Sequence, residues 1–156
     1  MKIVLFFGKE EKEKVKEIIE HFIAYGYNEI ILFIKNSENY FSKEEKIYFL
    51  TNDIKLTIVN CLDMESTSQK LLYIKGSLDN TFLAVYSSKI IFADLDKLYL
   101  FHKSATNIAT LLIYEEKMIA CLLENEIFDY SLNSLNFEKE VLKRVGQDLE
   151  LNQIEI

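Results

Sequence analysis

Residues Leu83–Ser104 read LAVYSSKIIFADLDKLYLFHKS, and their reading decides the fold. The stretch continues from Thr81-Phe82, and TFLAVY (Thr81–Tyr86) is apolar at consecutive positions. A half-exposed strand would alternate with polar residues. TFLAVY therefore predicts a strand buried on both faces, near the middle of a sheet. After Ser87, Ser88 and Lys89 the period changes. Leu95, Leu98 and Phe101 recur on one helical face, and Asp94 stands where a capping side chain is expected. IATLLIY (Ile108–Tyr114) then returns to strand.

The same alternation extends outward. KIVLFF (Lys2–Phe7) predicts a buried strand ended by Gly8. From Glu10 onward Val15, Ile18, Ile19, Phe22 and Ile23 mark an amphipathic helix, with Gly26 as its C-cap. EIILFI (Glu29–Ile34) predicts a second strand, Ser42–Leu50 a short helix, and IKLTIV (Ile54–Val59) a third strand. STSQKLLYIK (Ser66–Lys75) predicts a helix with a serine cap, and MIACLL (Met118–Leu123) a further strand. NFEKEVLKRVGQDL predicts a helix, and ELNQIEI a terminal strand or tail. No repeat or linker interrupts residues 1–156, which read as one domain. Strands alternating with helices imply βαβ units and a mostly parallel sheet. Such sheets bind ligands beyond the carboxyl ends of their strands, here the loops after Phe7 and Tyr86.

Composition narrows the function classes. The 156 residues are 49% hydrophobic, enough for a true core. A net charge of −7 argues against nucleic acid or an anionic membrane as partner, since both demand clustered Lys and Arg. Arg144 is the only arginine, so a phosphate clamp built on an arginine fork is not expected, although lysines can serve as point charges. Cys61 and Cys121 lie in apolar runs and read as buried free thiols. IVLFF is too short for a signal-peptide core, and no run approaches a membrane span. A cytoplasmic location is expected.

Taken in order, several segments resemble the bacterial sugar-1-phosphate nucleotidyltransferases. MKIVLFFG is similar to that family's opening strand, and HFIAYGYNEIILFI to its helix, small-residue turn and apolar strand. NTFLAVYSS resembles the strand that carries a Gly-Asp metal motif. DLDKLYLFHKSATNIATLLI matches a D-L-x-x-L-x-x-F-H-K helix followed by an Ala-Thr-Leu strand. EIFDYSLNSLNFEKEVLKRVGQDLEL is similar to the segment after the family's sugar-binding strand. The resemblance implies an α/β fold: a three-layer Rossmann-like, mostly parallel sheet, the core of a truncated nucleotidyltransferase. It also implies a chemistry, the attack of a sugar phosphate on the α-phosphate of an NTP. Mg²⁺ balances the charge there, and the protein mainly positions the reactants.

The parts that this chemistry needs depart from the pattern. The G-G-x-G-T-R loop is reduced to Gly8, followed by Lys9 and the acidic start of a helix. The base-binding glycine turn is replaced by Leu62-Asp63-Met64-Glu65-Ser66. The Gly-Asp pair is Ser87-Ser88, and a neutral hydroxyl is a poor Mg²⁺ ligand. The W-x-D-I-G aspartate has no counterpart before Ile156. Only Glu115–Asn125 stands in place of the sugar-binding region. Glu116-Lys117 reads as a surface pair before it reads as a remnant of the family's E-K-P.

The expectation is a non-catalytic nucleotidyltransferase-like protein, a partner or regulator in sugar-nucleotide or surface-polysaccharide metabolism. Its vestigial nucleotide cleft would comprise Gly8, Lys9, Asp63, Ser87, Ser88 and Lys89, with no catalytic residue and no metal ligand. No cofactor is expected. A protein partner or a homodimer is, with a weak nucleotide or sugar-nucleotide ligand as a further occupant. The alternatives are an atypical enzyme that uses Lys9 and Lys89 for phosphate and Asp63 for Mg²⁺, or a small-ligand or protein interaction module. Outside that cleft, His102 and His21 lack a catalytic partner nearby in sequence. Asp94 and Asp96 read as cap and surface residues rather than a metal pair, because residues two apart on a helix do not face each other. The Lys/Glu run Lys9–Glu20 reads as a solvated helix face, and Ser87 and Ser88 have no evident base.

Overall fold

A computed structural model describes residues 1–7, 12–35, 40–130, 137, 142–143 and 151–155. Gly8 and Lys9 lie outside the described residues, as does most of the helix expected in NFEKEVLKRVGQDL. The elements run β1 (Lys2–Leu5), α1 (Lys12–Ala24), β2 (Glu29–Ile34), α2 (Lys43–Thr51), β3 (Lys55–Asn60), α3 (Thr67–Ile74), β4 (Thr81–Val85), α4 (Leu95–Ala105), β5 (Ala109–Tyr114), β6 (Lys117–Glu124) and β7 (Leu151–Glu155). All seven strands form one sheet in the order β3-β2-β1-β4-β6-β5-β7. The pairs β2–β3, β1–β2, β1–β4 and β5–β7 are parallel, whereas β6 runs antiparallel to both β4 and β5. The α/β, Rossmann-like, mostly parallel architecture is thus present, and the terminal segment is a strand.

β4 lies inside the sheet, as its unbroken apolar run requires. It pairs with β1 on one side and β6 on the other, and no residue of it exceeds 7% exposure. Its alternation supplies two cores. Leu83 and Val85 face a group that contains Ile18, Ile19 and Phe22 of α1, Phe49 of α2, and Leu95 and Leu98 of α4. Phe82 and Ala84 face the opposite group, with Leu71 and Ile74 of α3 and Ile127, Phe128, Phe137 and Leu142. Helices therefore cover both faces, which makes three layers. Cys61 and Cys121 are buried free thiols in the second core, as expected.

The helix ends follow their local sequence. Ser42 and Ser66 each close a capping box, with Glu45 and Gln69 as the reciprocal side chains. Glu45 also accepts from Lys12 at 2.6 Å and pairs with Lys16, tying α2 to α1. Burial pushes the Glu45 carboxyl up, but these lysines and the Ser42 amide outweigh it and hold it down at about 2. α1 ends at Gly26 with φ +81°. The Tyr27 amide donates to Phe22 C=O at 3.0 Å and the Gly26 amide to Ile23 C=O at 2.8 Å, the bond pattern of a Schellman cap.

A Cβ on Gly26 would meet nothing within 4 Å, so only the backbone conformation resists a side chain there. Gly26→Ala is expected to lower unfolding stability by about 1 kcal/mol in urea titrations. Gly76→Ala should be neutral or slightly stabilising, because Gly76 has equal space and no left-handed φ.

Candidate functional site

The carboxyl edge of the parallel strands is where a ligand is expected. Beyond β4 the Tyr86 and Ser87 amides both donate to Ile119 C=O of β6, at 2.9 and 3.2 Å. The chain then turns into a 3₁₀ helix over Ser88–Phe92, and the Ser87 hydroxyl caps it by accepting from the Lys89 amide at 3.3 Å. Lys89 is exposed, yet its ammonium lies over two rings, 5.5 Å from the Phe92 centroid and 5.6 Å from that of Tyr114. Those rings stack on each other at 5.9 Å. Exposed cation–π contacts of this kind contribute roughly 0.5–1 kcal/mol each. Ser87 and Lys89 are thus held by their own local structure.

On the α3 side of the same edge, the chain ends of β1, β2 and β4 carry a stack of aromatic rings. Phe6 lies 5.3 Å from Phe33 and 5.2 Å from Tyr86, with interplanar angles of 5° and 10°. Lys70 of α3 sits 5.9 Å over the Phe6 ring. Asp63 is an exposed residue of the turn that follows β3. β3 and β4 are separated by β2 and β1. Three steps of about 4.8 Å place the two strand ends roughly 14 Å apart. Asp63 thus follows an edge strand that β2 and β1 separate from the strand ahead of Ser87, Ser88 and Lys89.

Among the described residues, the segment that follows β4 offers Mg²⁺ no charged oxygen. Mg²⁺ takes hard, charged oxygens, and Tyr86–Ala93 contains no carboxylate. No group of three or more His, Cys, Asp or Glu side chains among the described residues is arranged to hold a metal ion. Asp94 acts as the cap of α4, accepting from the Lys97 amide at 3.1 Å. That bond, with help from the Lys97 ammonium, holds its carboxyl below the usual range against the opposing effect of burial. Glu116 lies in the two-residue turn between β5 and β6, where Glu115 and Glu116 have φ of 47° and 62°. Both glutamates and Lys117 are exposed, consistent with surface residues.

The polar residues converge instead at the opposite, amino end of β4. His102 of α4 has a side chain with 0% exposure, and both of its ring nitrogens are partnered. Nε2 lies 2.9 Å from Glu124 Oε1, and Nδ1 lies 2.8 Å from the Thr110 hydroxyl. A carboxylate only accepts, so Nε2 carries the proton and Nδ1 accepts from Thr110. Lys103 donates to Glu124 Oε1 and to the Thr81 hydroxyl, both at 2.6 Å, and Thr81 donates to Glu124 Oε2 at 2.8 Å. No carboxylate partner lies near His102 in sequence, and the fold supplies one from a distant segment. That partner comes from β6, because the antiparallel register sets Glu124 opposite Thr81. No spacing in the sequence signals this cluster. It seats α4 on β4, β5 and β6, with every member satisfied. A cavity of about 270 Å³ opens beside it toward Thr106, Asn107 and Glu126.

No family model matches the chain, and no curated protein does. Solved structures match its fold. Similar structures include HddC from Yersinia pseudotuberculosis complexed with GMP-PN, at 11% identity and TM-score 0.65, with 99% of this chain and 90% of that chain covered. A candidate glucose-1-phosphate thymidylyltransferase from Bacillus anthracis, in complex with a sucrose, gives 11% and 0.62 over 99% and 86%. CMP:2-keto-3-deoxy-manno-octonic acid synthetase complexed with CTP gives 8% and 0.64 over 100% and 89%. The chain has a nucleotidyltransferase-like fold. Among the described residues no helix is long and apolar enough to cross a membrane.

The His102 cluster makes stability depend on pH. Burial pushes the imidazole below its ordinary value of 6.5, opposed by Glu124 and aided by Lys103. The unfolded state then binds more protons just below pH 6.5, so stability is full above that value and falls as pH drops toward the folded value. Burial also lowers His21, which adds to the same window. Glu124 is held below 4.5 because Lys103, Thr81 and His102 outweigh its burial, so its contribution disappears at still lower pH. Urea titrations from pH 7.5 downward should show stability falling below pH 6.5. His102→Asn should flatten that segment, and His21→Gln should remove the remainder.

Proposed function

We propose that this chain is a non-catalytic sugar-nucleotidyltransferase-like protein, a partner or regulatory protein in sugar-nucleotide or surface-polysaccharide metabolism. The observation that supports it best is the end of β4. The Ser87 hydroxyl is spent capping the Lys89 amide, and the Lys89 ammonium is seated on Phe92 and Tyr114. Nucleotidyl transfer needs a cation to balance charge on the phosphates, held by charged oxygens, and Tyr86–Ala93 offers none. On this reading the chain needs no cofactor, works in the cytoplasm and acts through protein contact, with another protein or a second copy of itself. Any nucleotide or sugar nucleotide would bind weakly.

The alternative is an atypical enzyme that assigns phosphate to Lys9 and Lys89 and metal to Asp63. A pyrophosphate-release assay with each NTP and common sugar 1-phosphates, with and without Mg²⁺, is expected to show no turnover. A thermal-shift panel with the same nucleotides should show no shift. A ligand at a hundredfold excess over its Kd would add about 2.7 kcal/mol to stability. Mg²⁺-dependent stabilisation by one NTP, or sugar-phosphate-dependent pyrophosphate release, would overturn the proposal.

A further inference from the structure

The sheet is open, with outer edges at β3 and β7, and among the described residues nothing pairs with the outer side of β3. The Lys55 amide donates to Asn28 C=O and the Cys61 amide to Ile34 C=O, so the odd-numbered residues of β3 bond inward to β2. Strand alternation then turns the amides and carbonyls of Leu56, Ile58 and Asn60 outward. The Leu56 amide already donates to Ile54 C=O, so among the described residues the Ile58 and Asn60 amides are the free donors. Soluble proteins blunt such edges with proline, bulges or charge. β3 has no proline and a single charge, Lys55 at its first residue, tied to Glu29 at 2.8 Å.

Both sides of this edge are flanked by apolar residues in water. On one side stands α2. Its Glu44 and Tyr48 turn toward α1, where they line a cavity with Lys16 and Glu20. Leu50, about 200° around the helix from Tyr48, lies on the side away from α1, and Ile47 and Leu50 are 53% and 78% exposed. On the other side a groove of about 390 Å³ lies between β3 and α3, lined by Thr57, Val59, Ile74 and Tyr73. Tyr73 is 67% exposed.

We propose that the β3 edge is a self-association surface whose occupant is the β3 edge of a second copy of this chain, in antiparallel pairing about a two-fold axis. This deepens the protein-contact part of the function proposed above by naming the surface and the partner. A two-fold axis at Ile58 sets that residue opposite its own copy, and the two exchange both ladder bonds. Each Leu56 carbonyl then accepts from the Asn60 amide of the other copy. Thr57 falls opposite Val59, a β-branched cross-strand pair. The charges also allow it. No carboxylate lies within Lys55–Asn60, and the two Lys55 residues fall six positions apart along the paired strands, roughly 20 Å, beyond the screening length of about 8 Å. A lone peptide strand would satisfy the backbone but leave Ile47, Leu50 and Tyr73 in water. A second copy brings its own α2 and α3 alongside those of the first, continuing both helical layers.

Sedimentation velocity over a dilution series tests this on the whole chain. The wild type is expected at twice the chain mass, dissociating on dilution. Leu50→Lys and Thr57→Lys, both at exposed positions, should each weaken association at least about tenfold with unchanged circular dichroism. Hydrogen exchange at the Ile58 amide should slow as concentration rises. A monomer at every concentration overturns the proposal. So does a dimer that neither variant weakens, or Ile58 exchange that ignores concentration. Should Thr57→Lys fail to fold, Leu50→Lys decides, because its side chain makes little native contact. The outcome is separable from the catalytic question: an active dimer overturns only the non-catalytic reading, and an inactive monomer overturns only this one.

Discussion

β4 stays in place only while both its edges are paired and both its faces are dry. An apolar strand of this kind has no stable position at the margin of a sheet. Its amides and carbonyls take partners from β1 and β6, and Phe82, Leu83 and Val85 are fully buried. Each such side chain contributes about 1.5–3 kcal/mol by leaving water. Helices are therefore required on both faces, and the remaining strands extend outward in two directions. β1, β2 and β3 follow in parallel, while β6 reverses direction and carries β5 and β7.

The two ends of this one strand then have opposite characters. At its carboxyl end the chain turns at once into a 3₁₀ helix that caps itself, beside a lysine seated on two rings and a stack of aromatic side chains. At its amino end Thr81 joins Glu124, Lys103, His102 and Thr110 in one satisfied network. In an open α/β sheet the carboxyl end is where ligands bind. Among the described residues the densest side-chain hydrogen bonding lies at the other end and fastens α4 to the sheet.

Both margins of the sheet, β3 and β7, are paired on one side only among the described residues. β7 is held in parallel beside β5, with Ile154 packed against the core. β3 has a bare outer edge among the described residues, and the helices on either side of it leave apolar side chains in water. Those exposed groups carry no benefit for the isolated chain, since neither contributes to its core. Their placement beside an unpaired ladder gives them a shared explanation in association.

Much of the fold is legible in the residues themselves. Consecutive apolar positions identify the buried strands, helical spacing identifies α1 and α4, and Ser42, Ser66, Asp94 and Gly26 mark helix ends. These are local effects, decided within a few residues by backbone hydrogen bonding and steric preference, so the sequence alone determines them. Three things required the tertiary structure. The antiparallel direction of β6 depends on which strand it meets. The union of His102 with Glu124 depends on the β4–β6 register. The separation of the strand ahead of Asp63 from the strand ahead of Lys89 depends on the strand order. Each joins or parts residues far apart in sequence, and such distances are set by sheet pairing, on which local propensity has no hold.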